Sequence, residues 1–66
     1  MKRYVITDMS GVIDTRILIP HLECYIEHSG KLYAEQISGH MLDLGKIVAA
    51  VDSLDDLDDD TYNKWV

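Results

Sequence analysis

Three groups of residues in this 66-residue chain have side chains able to do chemistry at short spacing. Asp8 and Ser10 lie two apart in the stretch Val5 to Thr15, VITDMSGVIDT, a carboxylate and a hydroxyl at the end of an apolar run. His21, Cys24 and His28 follow in HLECYIEH at positions i, i+3 and i+7. Were this stretch a helix starting at Pro20, all three would share one face, and imidazole and thiolate are the ligands zinc prefers. His40 or Asp43 would then supply the fourth ligand. Asp56, Asp58 and Asp60 reproduce the D-x-D-x-D opening of a calcium loop.

The elements that would have to position these groups are marked by three Ser-Gly pairs, at 10–11, 29–30 and 38–39. Glycine tolerates positive φ, so each pair predicts a chain reversal. RYVITDM and VIDTRILI around the first pair, and LECYIEH and KLYAEQI around the second, are rich in β-branched and aromatic residues and predict strands. The second pair closes a tight two-residue hairpin with His28 and Lys31 flanking it, a register that sets Ile26 against Tyr33 and Tyr25 against Ala34. The first closes a looser hairpin around DMSG, and Pro20 ends or interrupts its second strand because it cannot donate to a ladder.

After Gly39 the period changes. Met41, Leu44, Val48 and Val51, with Ile47 and Leu54 beside them, recur at three and four residues and predict an amphipathic helix over roughly 40–52, weakened by Gly45. SLDD at 53–56 reads as a capping box with Ser53 as cap, which allows a second short helix carrying Leu57 and Trp65. The expected fold is therefore α+β, a single domain over 1–66. A small antiparallel sheet of two hairpins and three to four strands fills most of 1–38, and it packs against a C-terminal amphipathic helix in a mainly helical, acidic 39–66.

Length and charge bound what such a domain can do. A chain this short buries only about 60% of the surface it exposes when unfolded, so a partner or a second copy would add stability. One cysteine cannot form an internal disulfide, and the longest apolar runs, ILIP and IVAAV, are too short to span a membrane, which points to a cytoplasmic, reducing setting. The net charge of −6 lies wholly in the second half: residues 1–33 hold four acids and four bases, whereas 34–66 hold eight acids against Lys46 and Lys64. Such a surface repels phosphates, so direct binding of nucleic acid is not expected.

The stretch Val5 to Thr15 resembles the first motif of the haloacid dehalogenase-like phosphotransferases, a strand running into D-x-D-G-[TV]-[LI]. The resemblance covers about a dozen residues and implies Asp8 as nucleophile, Gly11 as the motif glycine and Val12-Ile13 as the hydrophobic pair, with Mg²⁺ held in part by a later acidic pair. Ser10 stands where that family has its second Asp. A serine hydroxyl does not exchange a proton at neutral pH as a positioned carboxylate does. The family's parallel sheet also needs crossovers of a dozen or more residues each, which this length does not hold. The expected reading is not an enzyme, and no cofactor is assigned.

The metal constellations weaken in the same way. In a strand His21 points away from Cys24 and His28, and the hairpin signal favours a strand there. The calcium-like run has Thr61 in place of the loop glycine, and its twelfth position falls beyond Val66. The expected function is a non-catalytic acidic protein whose helical half docks on a basic, nucleic-acid-binding surface of a partner protein, through Asp43, Asp52, Asp55, Asp56, Asp58, Asp59 and Asp60, with Tyr62 and Trp65 as anchors. In size and charge the chain is similar to small acidic inhibitors encoded by bacteriophages and mobile elements, including anti-CRISPR and other DNA-mimic proteins. The alternatives are a structural module that homodimerises, with acidity serving solubility, and more remotely a zinc-binding module through His21, Cys24 and His28.

Overall fold

The computed structural model covers residues 1–66. Its strands are β1 (Tyr4–Thr7), β2 (Gly11–Asp14), β3 (Leu22–His28), β4 (Lys31–Gln36) and β5 (Met41–Val51), followed by a 3₁₀ turn at Leu54–Asp56 and helix α1 (Asp59–Trp65). All pairings are antiparallel and the strands form one sheet in the order β2-β1-β5-β4-β3, so the fold is α+β with five strands and a C-terminal helix.

Each Ser-Gly pair does lie at a reversal. Ser29 and Gly30 take φ of 54° and 79°, the geometry of a two-residue hairpin turn whose twist matches its strands. The register of β3 on β4 sets Ile26 opposite Tyr33 and Tyr25 opposite Ala34, as the sequence predicts. Gly11, at φ 67°, begins β2 after a three-residue loop, and Gly39, at φ 91°, turns β4 into β5. β2 is shorter than its sequence suggests. The Asp14 carboxylate accepts from the amide of Arg16 and its carbonyl from that of Ile17, so the chain leaves the ladder before Pro20 is reached.

The helix expected over 40–52 is instead the eleven-residue central strand β5. Its C-terminal half pairs with β1, more than thirty residues upstream, and its N-terminal half with the preceding strand β4. Register breaks occur in both pairings. Leu32 faces Gly45 while Tyr33 faces Asp43, which leaves Leu44 as an extra residue; Thr7 faces Ile47 while Ile6 faces Ala49, which leaves Val48 as another. Two of the four residues that gave the helical spacing, Leu44 and Val48, are these bulge residues. A period of two interrupted twice counterfeits a period near 3.6, and Gly45 takes φ 109°, far from helical geometry.

The core is small: Val5, Ile6, Leu22, Leu32 and Ala34 are buried, with Thr7 as the buried polar residue. Val5 faces Ile13 on one side and Ala50 on the other, while Ile6, on the opposite face, lies between Val12 and Ala49. Val5 and Ile6 are both almost wholly buried, so neither face of β1 is open to solvent there. The C-terminal segment carries a half-buried stripe of Leu54, Leu57, Thr61 and Trp65, none of it fully buried. Ser53 caps as its sequence predicts, but what it caps is the 3₁₀ turn, by accepting from the amide of Asp55. Asp58 caps α1 in turn, accepting from the amide of Thr61 at 2.7 Å.

Candidate functional site

The loop between β1 and β2, which carries Asp8 and Ser10, is folded down onto the kink of β5. The amide of Asp8 donates to the carbonyl of Lys46 at 3.0 Å, and the amide of Lys46 donates back to the Asp8 carboxylate at 2.9 Å. The hydroxyls of Thr7 and Ser10 both donate to the carbonyl of the bulge residue Leu44, at 2.7 and 3.0 Å, and the Ser10 amide donates to the Thr7 hydroxyl. A bulge leaves its residue outside the ladder, and these two hydroxyls satisfy the carbonyl so exposed. The residues that resemble a nucleophile motif thus hold a strand in its bent course. Asp8 and Ser10 face backbone, and Asp8 lies in a hairpin on an antiparallel sheet rather than at the end of a parallel strand.

His21, Cys24 and His28 do not share a helical face, because 22–28 is strand and His21 precedes it. The Cys24 thiol donates to the Glu35 carboxylate at 3.2 Å. That hydrogen bond, with partial desolvation and the negative charge of Glu35, pushes the thiol above its usual range and so disfavours the thiolate needed for metal binding or nucleophilic attack. No group of three or more His, Cys, Asp or Glu side chains stands close enough to hold a metal ion, the run of Asp56, Asp58 and Asp60 included.

The nine residues expected to dock on a partner divide by what they already touch. Asp43 pairs with Lys31 at 3.2 Å and accepts from the Gly45 amide at 2.9 Å; the amide first, and the ammonium second, hold its carboxyl below the usual range. Asp52 pairs with Lys2 at 3.2 Å and accepts from the Arg3 amide, with the same consequence. Asp58 is held low by the hydroxyl and amide of Thr61. These three carboxylates are committed to the fold.

Asp55, Asp56, Asp59 and Asp60 are different. All four are exposed, none joins an ion pair, and no hydrogen bond engages their side chains. Tyr62 is exposed beside them, whereas Trp65 is half-buried with the Lys64 ammonium 5.3 Å from its ring centroid. The free negative charge is concentrated in the 3₁₀ turn and the first turn of α1, while Asp43 lies on β5.

Two features escaped the sequence reading. β2 and β3 are the free edges of the sheet, and two cavities border β3. One, of about 370 Å³, is lined by Met1, Lys2, Val5, Glu27, Leu32, Ile47 and Ala50; the other, of about 240 Å³, by Met1, Thr15, Leu18, Glu23, Cys24 and Tyr25. Both depend on which strand ends the sheet, and that order was hidden while β5 read as a helix.

No protein-family model matches the chain, and no curated protein or solved structure matches it either. No helix is long and apolar enough to cross a membrane.

Proposed function

We propose that this protein is a non-catalytic, acidic interaction protein that docks on a basic surface of a partner protein through residues 55–60. One observation carries the reading: Asp55, Asp56, Asp59 and Asp60 are exposed carboxylates without an ion pair, on a segment whose local geometry is fixed by the Ser53 and Asp58 caps. Carboxylates held at fixed spacing can occupy arginine sites built for phosphate, since the guanidinium fork pairs with either anion. Tyr62 is the exposed aromatic that would anchor the contact, with Trp65 beside it. Asp43, Asp52 and Asp58 contribute field rather than contact.

The finer reading follows from composition. The partner is a protein with a nucleic-acid-binding groove, and this chain is its inhibitor, of the DNA-mimic type found among anti-CRISPR and other phage or mobile-element proteins, acting in the cytoplasm. Affinity capture from source cells tests it. The wild-type chain should retain a nucleic-acid-binding protein that double-stranded DNA displaces, and a chain with Asp55, Asp56, Asp59 and Asp60 all changed to Asn should not retain it. Retention by the Asn variant, or indifference to DNA, would remove this reading.

A second reading, a module that pairs with its own copy, is favoured by the consecutive exposed side chains of Ile17, Leu18 and Ile19 next to exposed Ile37, whose amide donates to the carbonyl of His21. Sedimentation that reports a monomer at high concentration would set it aside.

A further inference from the structure

The free edge of β3 is built to accept another strand. In a two-residue hairpin the residues flanking the turn form the hydrogen-bonded pair, and bonded and non-bonded pairs then alternate along the ladder. Counting from His28 and Lys31, the pairs Ile26 with Tyr33 and Cys24 with Glu35 are bonded, so the amides and carbonyls of Tyr25 and Glu27 point away from β4. No loop or side chain reaches these four groups. Proteins usually blunt such an edge with lysine, proline or a bulge; β3, reading LECYIEH, has neither lysine nor proline, and its one register break, at Glu23, lies outside the regular stretch Cys24 to His28.

The surroundings add selectivity. The two cavities meet β3 along its length, the larger at Glu27 and the smaller at Glu23, Cys24 and Tyr25, and Met1 borders both. Their walls are largely apolar: Val5, Leu32, Ile47 and Ala50 in the first, Leu18 and Tyr25 in the second. Glu23 and Glu27 are exposed carboxylates in no ion pair, and Glu27 also accepts from the Gly30 amide at 3.1 Å. Glu23 is the extra residue of a register break between Leu22 and Cys24, whereas Glu27 lies in the regular ladder opposite Leu32.

We infer that β3 takes up, as a sixth strand, an extended peptide segment of another protein that alternates apolar side chains with lysine or arginine. Main-chain bonds to Tyr25 and Glu27 supply affinity, apolar side chains of the segment lie on the cavity face of β3, and the exposed carboxylates of Glu23 and Glu27 supply the field that favours a basic segment. Charge decides against a second copy of this chain. A net charge of −6 repels its like, and two β3 strands paired about a two-fold axis at Tyr25 would set Glu23 against Glu27 in both halves.

The test uses the full chain and a blocked octapeptide alternating valine and lysine, with amide hydrogen exchange followed by NMR. Saturating peptide should slow exchange at Tyr25 and Glu27 at least tenfold. Joint Glu23→Gln and Glu27→Gln changes should weaken binding about fivefold while the free protein stays folded, since the glutamine carbonyl at 27 can still accept from the Gly30 amide. The same peptide with every amide N-methylated should not bind. Equal binding by the N-methylated peptide, protection appearing on β2 or on residues 55–60 instead, or protection of β3 that grows with protein concentration when no peptide is present would each overturn the inference.

Discussion

The Asp8 carboxylate occupies the space that a side chain on Gly45 would need. A Cβ built on Gly45 would stand 2.6 Å from Asp8 Oδ1 and 2.8 Å from Met9 Cβ, and the backbone there has φ 109°. Bulge, kink and loop therefore form one unit in which the β1–β2 loop seats on a bare stretch of β5. Gly45→Ala should cost on the order of 3 kcal/mol, combining the strain of a non-glycine residue at this φ with the displacement of the loop. Urea unfolding checks it; a loss under about 0.5 kcal/mol would mean that the loop does not seat there.

Thr7 predicts a second effect in the same unit. Its buried hydroxyl both donates to Leu44 and accepts from the Ser10 amide, so Thr7→Val keeps the shape and strands the Ser10 donor. The expected loss is about 1–3 kcal/mol. Ser10→Ala should cost less, because Thr7 still satisfies the Leu44 carbonyl. A double-mutant cycle between the two should show coupling, since they share that acceptor.

The same geometry speaks to catalysis. Asp8 is expected to support the fold rather than a reaction, so p-nitrophenyl phosphate with Mg²⁺ should give the same background for wild type and Asp8→Asn, while Asp8→Asn lowers the melting temperature. Turnover that disappears with this one substitution would restore Asp8 as a nucleophile.

Much of this architecture is legible in the sequence where chemistry is local. Ser29-Gly30 specifies turn and register together, because a two-residue loop with positive φ leaves one alignment. Asp58 shows the opposite case. SLDD points to Ser53 as the cap of the last helix, yet a second candidate cap five residues on begins α1, and the two are separated by only a short 3₁₀ turn. β5 was illegible for a deeper reason. Its identity comes from β1 and β4 pairing on either side, and the bulges at Leu44 and Val48 scramble the alternation that would announce a strand. Among the acids, the sequence shows charge but not commitment: that Lys31 and Lys2 answer Asp43 and Asp52 emerges only when β4 meets β5 and the N-terminus meets the end of β5.

Those commitments set an acid limit on stability. Asp43, Asp52 and Asp58 all have folded-state values below the unfolded range, so the unfolded chain takes up protons first as pH falls. Their contribution is complete above the usual carboxylate range, near pH 4, and is lost as pH drops through their lowered values. Lys31, raised chiefly by its hydrogen bond to Asp43, contributes below the usual lysine range and loses that contribution only in strong alkali. Thermal melts should show a plateau from about pH 6 to 9 and a fall below about pH 4. Asp58→Ala should flatten part of that fall and reduce helical circular dichroism; an unchanged acid limb would contradict the assigned partners.

The docking role of residues 55–60 is tested most directly by titrating the captured partner with wild-type protein and with the variant carrying Asn at 55, 56, 59 and 60, at low and at physiological salt. Wild-type affinity should fall at least tenfold between the two salt conditions, and the variant should bind at least tenfold more weakly at low salt with a flatter salt dependence. Equal affinities and equal salt slopes for the two proteins would contradict the account.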